Sequence, residues 1–150
     1  MSVPLPAVPV RGSLAARIAY AALFALALPA LLFVWAWRLD ALISLPAVRS
    51  PALGGLIATA GIALMAAGTQ ALWSHGHGLP MSPFPPERLV TRGIYAIVAD
   101  PLYVGAVMVA AGVAMVGGSG SGLWVVSPVL ALASTAWVLG YERDATRRRF

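Results

Sequence analysis

Four runs without a single charge divide this chain: Ile18 to Trp37, Ala52 to Trp73, Leu102 to Gly118 and Leu123 to Tyr141. The first is twenty residues long, which at ~1.5 Å per residue matches a hydrocarbon layer ~30 Å thick. In lipid every backbone polar group must be satisfied internally, which leaves helices and closed barrels, and no run shows strand alternation. The sequence therefore predicts an all-α integral membrane protein with about four transmembrane helices. The first run exceeds the ~7–15 apolar residues of a signal peptide, and no small-x-small cleavage site follows it, so it reads as a retained helix. Pro29 is expected to kink it.

The predicted spans, 18–37, 52–73, 102–118 and 123–141, form one domain over residues 14–150. They follow a Pro-containing tail, residues 1–13, expected to be flexible. Only Ser119-Gly120-Ser121-Gly122 separates the last two spans, predicting a tight antiparallel hairpin turning through Gly117 to Gly122. Pro51 suits the first turn of the second helix. Small residues recur every fourth position at Gly55, Thr59, Ala63 and Ala67, and again at Ala106, Ala110, Ala114 and Gly118. Both ridges are expected to serve close helix contact, within the bundle or with another copy or membrane partner.

All ten basic residues are arginine, and they set an orientation. Arg11, Arg17, Arg88, Arg92, Arg143, Arg147, Arg148 and Arg149 fall on one side, Arg38 and Arg49 on the other. Eight against two predicts both termini and the 74–101 loop in the cytoplasm, under an inner or plasma membrane. The same arginines account for the high isoelectric point without nucleic acid, because no basic stripe is interleaved with aromatics. There is no cysteine, so thiolate metal sites and cysteine nucleophiles are excluded.

Chemistry is concentrated between Gly76 and Tyr103. Gly76-His77-Gly78 lets backbone N–H groups approach a ligand closely, and equally suits a structural turn. His75 and His77 lack a nearby third ligand, so no metal site is expected. Tyr95, Asp100, Pro101 and Tyr103 form a second cluster. Asp100 before Pro101 fits the cap of the third helix, its carboxylate accepting backbone N–H bonds, or alternatively part of a ligand site there. The tyrosines fit either stacking on a ligand or an interfacial belt. Glu142, one residue past the fourth run, would lie beside the loop in a packed bundle.

In order, these pieces resemble the membrane methyltransferases of the isoprenylcysteine carboxyl methyltransferase and phospholipid N-methyltransferase superfamily. Its Gly-x-Gly-x-Pro stretch matches at Gly76, Gly78 and Pro80, and its Pro-Pro turn at Pro85 and Pro86. Leu-Val-x-x-Gly-x-Tyr matches at Leu89, Val90, Gly93 and Tyr95, Pro-x-Tyr at Pro101 and Tyr103, and the first of a Glu pair at Glu142. The chain departs from the pattern where Ala99-Asp100 replaces Arg-Asn/His and Arg143 replaces the second Glu. It also stops at Phe150, before the Gly and tyrosines that usually continue the last helix.

The resemblance implies an S-adenosylmethionine-dependent methyltransferase acting on a lipophilic acceptor such as a lipid amine or prenyl carboxylate. The cofactor would be bound by Gly76, His77, Gly78, Tyr95, Ala99, Asp100, Pro101, Leu102, Tyr103 and Glu142, with Glu142 also the candidate catalytic group. The alternative is a non-catalytic membrane module of the same scaffold acting through helix–helix association.

Overall fold

The computed structural model describes residues 22–72, 74, 93–98 and 100–138, together with Ala15 and Ala19 as single helical positions. Most of the described residues are helical, with no strand among them. A π-helical turn, Leu23–Ala27, leads into α1 (Leu28–Leu42); α2 is Pro51–Ala71 and α3 is Pro101–Gly117. A second π-helical stretch, Gly122–Val126, runs into α4 (Ser127–Trp137). A short 3₁₀ turn, Gly93–Ala96, precedes α3 and packs on α2.

Local chemistry accounts for the boundaries. Pro51 and Pro101 occupy the first turns of α2 and α3, where a missing N–H costs nothing. The first π turn immediately precedes Pro29, which cannot donate into the preceding turn, so the irregularity sits where that bond is absent. Gly118 ends α3 in the left-handed region at φ 71°, its N–H returning to Ala114 O. The hairpin expected between the last two spans is present, although helical geometry resumes at Gly120 rather than after Gly122.

Burial inverts the pattern of a water-soluble bundle. The buried positions of α2 are Gly54, Gly61, Gly68 and Ala71, whereas Leu31, Leu56 and Leu132 are 65%, 67% and 70% exposed. Along α2, small residues inside and large apolar residues outside suit a hydrocarbon surround, where packing rather than apolar burial drives association. By length and composition, α2 can cross a membrane; α3 and the continuous Gly122–Trp137 helix are shorter apolar helices.

The tightest packing joins α2 to α3, antiparallel, through glycines seven residues apart. A Cβ on Gly61 would lie 2.6 Å from Gly105 O, and one on Gly54 would lie 2.6 Å from Gly112 O. Gly68 closes the row against Pro101, which is fully buried. The ridges expected from the sequence are therefore not the ones that pack these helices. Thr59 and Ala63 are exposed, and nothing lies within 4 Å of a Cβ on Gly55.

Helix α1 is tied to the rest at one end. The Ser119 hydroxyl donates to Asp40 Oδ2 at 2.5 Å and the Ser121 N–H to Asp40 Oδ1 at 2.8 Å. Trp124 Nε1 donates to Pro46 O at 2.8 Å, Ser50 N to Met115 O at 3.1 Å, and Gly120 sits against Leu45 O. Within the bundle α1 packs chiefly on the Gly122–Val126 stretch, so toward its start it stands apart from α2 and α3.

Asp40 lies three residues past the apolar run ending at Trp37. Desolvation acts to raise its pKa, but the Ser119 hydroxyl and the Ser121 N–H outweigh it and hold the carboxyl below its ordinary value. A lowered folded pKa gives stability that is present above the ordinary value of 3.8 and lost as pH falls through the folded one. Asp40→Ala is expected to cost about 1 kcal/mol, below the ~1.5–3 kcal/mol usual for bonds to a charge because the site is exposed. Thermal melts in detergent should show a midpoint ~2–4 °C lower at neutral pH, a difference that shrinks in acid.

Candidate active site

Two cavities meet at one end of the bundle. The smaller, about 330 Å³, lies between the start of α3 and the end of α4 and is lined by Asp100, Tyr103, Met108, Ser134, Thr135 and Val138 among others. The larger, about 910 Å³, lies between α1 and the other helices. Its walls are apolar along α1 at Leu28, Leu32, Phe33, Ala36 and Trp37, and along α3 from Leu102 to Gly118. Sixteen residues of α3 correspond to ~24 Å of length. Tyr103 and Ser134 line both cavities.

The ridge Ala106, Ala110, Ala114 and Gly118 has its place here. All four residues line the large cavity. Their small side chains leave the space that Leu or Phe would fill, so this ridge makes room beside α3.

Asp100 precedes Pro101 at the start of α3, but its carboxylate makes no capping hydrogen bond. The cap expected from the sequence is thus a backbone one, Val104 N donating to Asp100 O at 3.1 Å. The side chain instead lines the small cavity with Tyr103. Of the other residues singled out in the sequence, Leu102 lines the large cavity and Pro101 is packed under Gly68. Tyr95 is half-buried in the 3₁₀ turn and lines neither cavity. Gly76, His77, Gly78, Ala99 and Glu142 lie outside the described residues.

Three hydroxyl residues at this end were not singled out by the sequence: Thr69 on α2, and Ser134 and Thr135 on α4. The available signal was spacing. Ser127 and Ser134 stand seven residues apart on one face of a helix whose only other hydroxyl is Thr135.

The small cavity thus holds the Asp100 carboxylate, and the large one is apolar apart from Thr69, Tyr103 and Ser134 near the junction and Asp40 and Ser119 at its far end. A sequence profile of the phospholipid methyltransferase family matches residues 49–150, about two thirds of the chain. The chain belongs to the phospholipid methyltransferase family. Neither a curated protein nor a solved structure matches it. The family match takes in α2, α3, α4 and the intervening Gly76–Tyr103 motif region, and begins after α1. In this phospholipid methyltransferase homologue, one wall of the large cavity therefore comes from a helix outside the matched region.

Proposed function

We propose that this chain is an integral-membrane S-adenosylmethionine-dependent methyltransferase that methylates a lipophilic acceptor. Four helices cross the membrane, with both termini and the 74–101 loop in the cytoplasm. The observation that carries the reading is the junction at Tyr103 and Ser134, where a small cavity holding Asp100 and Thr135 adjoins a large, mostly apolar one.

The residues of the small cavity fit the cofactor. Asp100 offers a carboxylate not committed to capping, suited to accept from ribose hydroxyls or an amino group. Tyr103 and Thr135 add hydroxyl-bearing side chains, and Met108 and Val138 an apolar lining. We place Gly76, His77, Gly78, Ala99 and Glu142 at the same site from the resemblance in sequence, with Tyr95 beside it rather than in its lining. When bound, S-adenosylmethionine supplies a methyl group already activated on a sulfonium. The protein's work is then to align the partners and exclude water, and the apolar walls on α1 and α3 serve that by holding the acceptor's hydrocarbon.

Detergent-purified protein is expected to bind S-adenosylhomocysteine saturably in a calorimetric titration. Asp100→Ala should weaken that binding about tenfold, the loss of one charge-assisted hydrogen bond. Absence of saturable binding in a folded sample would overturn the enzyme reading. It would favour a non-catalytic module associating through the face of α2 that carries Gly55 and the exposed Thr59 and Ala63.

A further inference from the structure

The geometry points to the hydroxyls of Thr69 and Ser134 as the groups that orient the polar head of the lipid acceptor. This rests on the reading of the large cavity as the acceptor site. Hydroxyls in apolar helices ordinarily return to their own backbone one turn earlier. Thr59 does so to Gly55 O, Thr135 to Ala131 O and Ser74 to Gln70 O, at 2.8, 2.8 and 2.7 Å. Ser127 bonds Gly122 O at 2.8 Å. Thr69 and Ser134 do not: among the described residues neither hydroxyl has a hydrogen-bond partner.

Both residues line the large cavity, from different helices, at the end where Tyr103 also enters it. The remainder of the lining is almost wholly apolar until Asp40 and Ser119 at the opposite end. A mostly apolar pocket with a few converging polar groups is one that fixes a ligand's orientation through those groups. The hydrocarbon lies along α3, and the polar head is held at the junction with the small cavity. A hydroxyl both donates and accepts, so the pair suits the phosphate oxygens and amine hydrogens of an aminophospholipid. Each hydroxyl unbonded in the fold gains its partner from the ligand.

The test measures retention of phosphatidylethanolamine by the full-length protein in detergent, by native mass spectrometry, alongside S-adenosylhomocysteine titration. Thr69→Val and Ser134→Ala are each expected to weaken lipid retention about fivefold, with cofactor-analogue binding changed less. Thr69→Ser and Ser134→Thr, which keep a hydroxyl, should recover most of it. Thr59→Val, on the exposed face of α2, should leave it as in the wild type. Wild-type retention in both Thr69→Val and Ser134→Ala would overturn the proposal, as would equal losses in the hydroxyl-keeping variants. If one variant does not fold, the other decides. Hydroxyl-dependent lipid retention without any binding of S-adenosylhomocysteine would leave the head site standing and remove the methyltransferase reading instead.

Discussion

Gly112→Ala is expected to be among the most damaging single-methyl changes in this protein. A Cβ there would lie 2.6 Å from both Ala58 N and Gly54 O and 2.8 Å from Ala58 Cβ. Two of those three atoms belong to the backbone of α2, so no rotamer change relieves the clash and the helices must separate. Overpacking of this kind costs about 1–3 kcal/mol, at the upper end where backbone meets backbone. Separation would also spoil the neighbouring Gly54, Gly61 and Gly105 contacts, because one rigid helix pair carries them all. Thermal unfolding in detergent should show Gly112→Ala with a midpoint lower by ~6–12 °C, at ~2–4 °C per kcal/mol for a chain of this size. The control is Gly55→Ala on the same helix pair, where a Cβ meets nothing within 4 Å. Its midpoint should be unchanged or slightly raised, since Ala favours the helix. Equal midpoints for the two variants would contradict the glycine-packed interface.

The second large effect is at Tyr103, whose side chain lines both cavities at the start of α3. Replacing it with Ala merges the two spaces and removes the surface that both partners would rest on. Misplacement of reacting groups by ~1 Å already costs about 100-fold in rate, so Tyr103→Ala should lower methyl transfer by about that factor or more. Tyr103→Phe, which keeps the ring and loses the hydroxyl, separates packing from hydrogen bonding. If the ring alone divides the cavities, the Phe variant retains most of the rate. A Tyr103→Ala protein with undiminished transfer would remove Tyr103 from the site.

The contrast between the glycine row and Tyr103 shows which parts of the molecule could be read from sequence. The hairpin was legible because Ser119-Gly120-Ser121-Gly122 leaves the chain too little length for anything else. The start of α3 was legible because Asp-Pro permits few geometries. The packing face was not, and the reason is rotation. At 3.6 residues per turn, positions four apart drift ~40° around the helix with each step, whereas positions seven apart drift ~20°. Gly55, Thr59, Ala63 and Ala67 therefore wind away from a neighbour that Gly54, Gly61 and Gly68 keep in view. Both rows consist of small residues, and only the seven-residue row can hold a straight contact along the whole helix.

The site was legible in part for a similar reason. Asp100 and Tyr103 are polar residues at the mouth of an apolar run and draw notice by type alone. Thr69 and Ser134 do not, because a hydroxyl in a membrane helix usually satisfies itself locally, and only the fold shows that these two do not. The large cavity was illegible for a different cause. It arises from α1 being fastened at Asp40 and standing apart elsewhere, an arrangement of helices that no single segment encodes.

The most direct test of the account is transfer itself. Purified protein is incubated with methyl-labelled S-adenosylmethionine and a total lipid extract, and the lipid fraction is separated and counted. Label is expected in a lipid species, in proportion to enzyme and strongly reduced by Tyr103→Ala. A folded wild-type sample that leaves the lipid fraction unlabelled, with the lipid content varied and the donor in excess, would contradict it.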